Sequence, residues 1–292
     1  MSITLFQAER PRLLALAYRL TGTRADAEDL VQETWLRWQG HEQAADDAPA
    51  YLARIVVNLG MDRWRRLKQE RAHYTGPWLP EPLEEAAAPE PGPEAHTENR
   101  RLLSTAWLVL LEKLNPLERA VFVLREAFEY SFAEIAAVVA RSEVHCRQLD
   151  RRARQHLQAD GLRMENNRPQ QEKLLRRFMA AVEAGEIALV NQLFSDDVRM
   201  YSDGGGEVRA LLKVIQGLER LRAFFSSVLR TAPVGLRVEM RELAGDPALC
   251  YWHGNYLLGV TTIAAADDRI TAVFTLRNPK KLAGLFSGVI RQ

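Results

Sequence analysis

Cysteine is scarce in this sequence: 292 residues hold two, Cys146 and Cys250, far apart. That excludes a disulfide framework and a CxxC metal site, and it fits a reducing compartment. Long apolar runs are missing too. No stretch approaches the length of a membrane span, and Glu9, Arg10 and Arg12 interrupt the N-terminal segment where a signal peptide would be apolar. A cytoplasmic protein without membrane contact is expected. Charge of one sign is also lacking: 39 Lys+Arg against 38 Asp+Glu leave a net charge of +1, so bulk charge says nothing about nucleic acid. No Ser/His/Asp set, phosphate loop or metal cluster stands out, so no cofactor or metal is expected. What remains is the composition of a globular chain, 47% hydrophobic and 26% charged, long enough for two or three domains.

Charge is nevertheless concentrated locally. The stretch Asn115–Leu157 contains three successive helix starts. Asn115 with Pro116 and Glu118 is an N-cap, a first-turn proline and a capping-box acid. Ser131 with Glu134 repeats the box, and Ser142 caps a last helix reaching about Leu157. Ile135, Val138 and Val139 form the apolar stripe of the middle helix, and Val144, Leu149, Ala153 and Leu157 that of the last. Two short helices joined tightly, the second rich in arginine, make a helix-turn-helix pattern. Between Arg141 and His156 stand five arginines against two acids. The pattern reads as a phosphate-binding surface or as a solvated basic face. Cys146 precedes Arg147 near a helix start, where a thiol pKa can fall; a buried structural thiol is the other reading.

The segment from Met1 to about Tyr74 reads as helical. A first helix spans about Thr4–Leu20. Thr23 and Asp26 start a second, with Ala27, Leu30, Val31, Thr34, Trp35 and Trp38 as its buried stripe. Its other face, Asp26, Glu28, Asp29, Gln32 and Glu33, is acidic: a solvated face or a dock for a basic protein. After a polar loop, Gly40–Ala48, Pro49 opens a third helix to about Arg71, with Leu52, Ile55, Val56 and Leu59 inside. Asn58, Asp62 and Arg65 recur on another face. From Arg63 to Arg71 five basic residues meet one acid, with Trp64 among them. A basic groove holding an aromatic is how opened nucleic acid is bound; Trp64 as a core residue is the alternative.

Thr75–Thr97 carries six of the thirteen prolines, five glutamates and no lysine or arginine. It should be an extended, semi-rigid connector. Trp78 and Leu79 are apolar beyond what a spacer needs, which points to docking on a folded domain.

Together Asp26–Trp38, Ala50–Arg66 and Leu114–Leu157 resemble, in order and spacing, regions 2 and 4 of a bacterial extracytoplasmic-function RNA polymerase sigma factor. WLPEP (Trp78–Pro82) resembles the sigma-J-type subgroup, which carries an extra C-terminal domain. The resemblance implies a transcription initiation factor rather than an enzyme. It implies that Asp26, Asp29, Gln32 and Glu33 bind the β′ clamp helices of the RNA polymerase core. It implies that Asn58, Asp62, Arg63, Trp64, Arg65 and Arg66 recognise and open the −10 element of promoter DNA. The helix from Ser142 would enter the −35 major groove, with Ser142, His145, Arg147, Gln148, Arg151 and Arg152 as contacts. Ala140 stands where the turn of this family usually has glycine.

After Arg163 the composition changes. Arg168–Gln292 reads as helices first and antiparallel strands later, an α+β domain. Helices are expected around Leu174–Val182 and Ile187–Phe194, then at Leu218–Leu229. Strands are expected at Val198–Tyr201, Val208–Leu212, Leu236–Leu243, Ala248–Leu258 and Ile270–Arg277. The order resembles the SnoaL-like branch of the nuclear-transport-factor-2-like cone fold. The expected organisation is therefore two all-α domains, residues 1–74 and 98–163, a linker at 75–97, and an α+β domain at 168–292. Ser202-Asp203-Gly204-Gly205-Gly206 and Asn278-Pro279-Lys280-Lys281-Leu282 resemble the DGGGK and NPDKL signatures of the sigma-J-type domain. Glu207 stands where lysine is usual, and Lys280 where aspartate is usual. Trp78, Leu79, Pro80, Asp203, Gly204, Gly205, Gly206, Asn278 and Pro279 form the expected regulatory set. Two other readings stay open. One is a stand-alone DNA-binding regulator sensing a small-molecule ligand in the C-terminal domain. The other is a cyclase using Asp203 with His253 or Tyr201.

Overall fold

A computed structural model describes residues 2–39, 47–84, 103–165, 167–184, 186, 190, 192–230, 234–243 and 246–286. The chain forms two compact units: residues 1–73 with 86–161, and residues 74–85 with 162–292.

The first unit is helical: α1 (Ser2–Thr21), α2 (Arg24–Trp38), α3 (Ala48–Ala72), α4 (Thr105–Leu111), α5 (Pro116–Phe128), α6 (Phe132–Val139) and α7 (Glu143–Asp160). The expected caps are in place. Thr23 accepts the Asp26 amide, Asn115 and Ser131 each form a complete capping box, and Ser142 accepts the His145 amide. Asp47 caps α3 one residue before its first turn, and Ser104 caps α4. The core runs through α1 (Leu13, Leu16, Leu20), α3 (Leu52, Val56, Val57, Trp64) and α5 (Val121, Phe122, Leu124), all buried. The buried stripe of α3 is thus rotated from the expected one: Ile55 and Leu59 are only half-buried, and Gly60, Met61 and Trp64 take the interior.

The second unit holds α8 (Arg168–Glu183), β1 (Phe194–Asp203), β2 (Ile215–Gln216), α9 (Leu218–Arg230), β3 (Leu236–Leu243), β4 (Asp246–His253), β5 (Tyr256–Ala266), β6 (Arg269–Leu276) and α10 (Pro279–Leu282). The strands form one sheet in the order β2-β1-β6-β5-β4-β3, with β1 and β6 parallel and every other pair antiparallel. On one face, Leu174, Leu175 and Phe178 of α8 and Leu221 and Phe225 of α9 pack on Val198, Met200, Ile263, Ile270 and Val273. Residues 74–84 belong to this unit, and Glu84 bridges Leu243 at the β3 edge.

Several sequence expectations are corrected. Val208–Leu212 is no strand; it is irregular chain before the short β2. Ala248–Leu258 is not one strand but a hairpin. It turns at Gly254-Asn255, where Gly254 supplies φ 57, as a two-residue hairpin turn requires. Phe194 opens β1 instead of closing a helix. Ile187, Leu189, most of the loop from Gly40 and the connector beyond Glu84 lie outside the described residues. Among the described residues no helix is long and apolar enough to cross a membrane.

Candidate functional site

On α2, Asp29 and Gln32 are exposed and Glu33 is half-exposed, held at 2.9 Å by Arg37. Asp26 is different. It takes a 2.6 Å bond from Arg63 Nε, and its side chain is only 13% exposed. Its charge is spent inside the unit, so it adds little to an acidic docking face. Beside that face Ile3, Phe6, Val31 and Trp35 line a cleft of about 440 Å³ between α1 and α2, with Glu28 and Gln32 on its wall.

On α3, Asn58, Asp62, Arg65 and Arg66 are exposed, and Asp62 pairs with Arg65. Arg63 is held by Asp26 and by Glu70 at 2.9 Å. Trp64 is not on this surface. It is 1% exposed, with the Arg119 guanidinium 4.0 Å from its ring centre and that of Arg71 at 4.9 Å. Cation–π contacts occupy ring surface that base stacking would need. Arg119 is fully buried, donating to Arg19 O at 2.9 Å and to Glu112 at 3.1 Å. Burial pulls its pKa down to about 10 against the pull of Glu112, so it stays charged at neutral pH. Arg119 and Glu112 were missed in the sequence; a charged pair inside the apolar run of α5 was the signal for Arg119.

In the helix-turn-helix, Ala140 ends α6 in the left-handed region at φ 52, ψ 54. The position needs a positive φ, and alanine meets it at a cost of about 1–2 kcal/mol. The cap Ser142 and, on α7, Arg147, Gln148, Arg151 and Arg152 are exposed, and His145 is half-buried. Arg147 is bound to Glu143 at 2.9 Å and lies 4.8 Å over Phe132, so it is pre-positioned. Val144 does not join the core stripe: it is 66% exposed. Cys146 is buried, and desolvation, then Glu143, push its thiol up against the opposing Arg141, so the activated-thiol reading fails.

In the second unit one fully buried carboxylate, Asp203, gathers the regulatory set. Its Oδ1 accepts from Tyr74 Oη at 2.6 Å and from the Gly205 amide at 3.0 Å. Its Oδ2 accepts from the Leu79 amide at 2.9 Å and from Lys281 Nζ at 2.7 Å. Lys281 also donates to Leu79 O and lies 4.1 Å from the Trp78 ring centre. Asn278 donates to Tyr74 Oη at 2.8 Å and caps α10. Gly205 has φ +64, and a Cβ there would lie 2.3 Å from Asn278 Nδ2, so glycine is required twice over. Leu79 and Pro80 are buried and Trp78 is half-buried. The exchanged charges meet: Lys280 Nζ lies 2.6 Å from Glu207. Tyr74 and Lys281 were not among the expected residues; the second lysine of Asn278–Leu282 was the available signal. With both oxygens bound, Asp203 has no proton-abstracting role, and His253 is exposed at the C-terminal end of β4, three strands across the sheet from β1.

Helical units with a helix-turn-helix, followed by a cone-type sheet domain, define the class as a DNA-binding transcription factor with an appended domain. Models of Sigma-70 region 2 match residues 5–70, Sigma-70 region 4 matches 104–157, and a SnoaL-like domain matches 175–283. The chain is 34% identical over 299 residues to "ECF RNA polymerase sigma factor SigJ" of Mycobacterium tuberculosis, covering 97% of this chain and 94% of that protein. It is 26% identical to "Probable ECF RNA polymerase sigma factor SigI" of the same species, covering 95% and 93%. The crystal structure of M. tuberculosis SigJ matches with TM-score 0.75 at 31% identity, covering 97% of this chain and 98% of that one. The chain belongs to the extracytoplasmic-function (ECF) RNA polymerase sigma factors. It directs RNA polymerase core to promoters and is not an enzyme.

Proposed function

We propose that the C-terminal unit modulates sigma activity by holding the segment that follows α3. The observation that carries this is the docking of residues 74–84 on Asp203, Asn278 and Lys281. That segment leads from the region 2 helices toward region 4 in the chain, so the unit that binds it governs how the two can be presented. Asp29, Gln32 and Glu33 serve as the contact to the β′ clamp helices. Asn58, Asp62, Arg65 and Arg66 serve the −10 element, with Arg63 supporting through Asp26. Ser142, His145, Arg147, Gln148, Arg151 and Arg152 serve the −35 element. Arginine pairs bidentately with guanine and glutamine with adenine, while further arginines hold phosphates. The protein acts in the cytoplasm, where core polymerase works. The test is run-off transcription with core polymerase, comparing the full chain with Asp203→Asn. Altered output at unchanged core binding supports the reading, and equal output refutes it.

A further inference from the structure

The recognition-type helix α7 has a clear inner and outer side. Cys146, Leu149, Ala153 and Leu157 are buried. At about 100° per residue, Val144, Gln148, Arg151 and Gln155 fall in one line opposite them, and all four are exposed. Arg147 and Arg154 flank this line already engaged, by Glu143 at 2.9 Å and by Asp150 at 2.9 Å. The side chains of Gln148 and Arg151 make no hydrogen bond or ion pair among the described residues. Val144, at the head of the line, is 66% exposed in the first turn after the Ser142 cap.

No packing in the free protein explains a valine there. A β-branched residue is a poorer helix former than alanine or most polar residues, and its isopropyl group faces water. The line reads apolar tip, amide, guanidinium. In the major groove these complement the thymine 5-methyl group, adenine and guanine, and the first residues of a recognition helix are those that reach base edges. We propose that Val144 is a specificity-determining residue that packs on a thymine methyl in the upstream promoter element. The proposal rests on the assignment of α7 to the −35 element and refines it. Four residues of helix rise about 6 Å, close to two base steps of about 3.4 Å. The thymine therefore lies within about two base pairs of the base met by Gln148.

The test uses the full chain with core polymerase on a promoter pool randomised in both elements. Wild type, Val144→Ala and Val144→Thr are compared; Val144 is exposed, so neither variant threatens the fold. The preferred promoter is then remade with deoxyuridine for the upstream thymine, which removes only the methyl. Wild type and Val144→Thr, which keeps a methyl, are expected to lose about fourfold in apparent affinity, the value of one buried methyl group. Val144→Ala is expected to lose the thymine preference in the pool and to ignore the deoxyuridine change. An upstream preference with no thymine, or a deoxyuridine penalty equal in wild type and Val144→Ala, overturns the proposal alone. No upstream sequence preference in the wild type overturns the −35 assignment and the proposal with it.

Discussion

Asp203→Asn isolates the anchor of the connector. The carboxylate is fully buried and accepts four hydrogen bonds, two of them from the connector, at Tyr74 and Leu79. Its charged partner Lys281 has a side chain 11% exposed. Removing one member of a buried ion pair costs about 3–5 kcal/mol, because the other charge is left uncompensated. Asparagine keeps an oxygen for Tyr74 and Gly205. On the other side it turns an NH₂ toward two donors, the Leu79 amide and Lys281. The expected loss is therefore about 4 kcal/mol for the second unit. Lys281→Met added to Asp203→Asn removes the stranded charge, so the double variant should recover about 2 kcal/mol, a coupling typical of groups in contact. The assay is equilibrium denaturant unfolding of the full chain, with hydrogen exchange of the 74–84 peptide as local reporter. Protection of the Leu79 amide should collapse in Asp203→Asn. A stability change below about 1 kcal/mol with unchanged exchange in that peptide would refute the anchor and, with it, the regulatory reading.

Three further outcomes are expected. Ala140→Gly should stabilise the helix-turn-helix unit by about 1 kcal/mol, since glycine adopts φ 52 without the Cβ penalty; a thermal melt that falls instead would contradict the geometry. Gly205→Ala should destabilise the second unit and release the connector, because a positive φ and the approach of Asn278 both oppose a Cβ; exchange in 74–84 checks it. Burial pushes the Cys250 thiol up from 9.0 to about 12 and raises that of Cys146. A folded pKa above the unfolded one gives stability that is complete below about pH 9 and is lost as pH rises through about 12. Native protein at pH 9 should resist iodoacetamide while unfolded protein labels at both thiols, and rapid native labelling would disprove the burial.

What could be read from the sequence was local chemistry. Asn115, Ser131 and Ser142 cap because a short polar side chain satisfies amides two or three residues ahead, and neither partner depends on the rest of the fold. Leu236–Leu243 was legible as a strand, and it forms β3 at one edge of the sheet. The β4–β5 hairpin was not. Tyr256–Ala266 is buried almost throughout, so it lacks the period of two that marks a half-buried strand, and Gly254 alone marked its start. The Asp203 site was legible in its signatures and in Leu79 and Gly205, but not in its partners Tyr74 and Lys281. Tyr74 lies 129 residues from Asp203 in the chain, and only the fold brings it within 2.6 Å.

Trp64 shows where composition misleads. A tryptophan among five basic residues fits a nucleic-acid groove, and the same basic residues fit a cage around a buried ring. The choice depends on helical phase, which the apolar spacing of α3 left open. Leu52, Ile55, Val56 and Leu59 put Trp64 outside their stripe, whereas the actual stripe through Val57, Gly60 and Met61 puts it near the centre. Arg71 and Arg119 then spend their charge on the ring and on Glu112. The basic surface that α3 leaves exposed is narrower than the sequence implied. Within Arg63–Arg71 it consists of Arg65, Arg66 and Lys68, beside Asn58 and Asp62, and under the proposed −10 assignment a stacked base must find a partner other than Trp64.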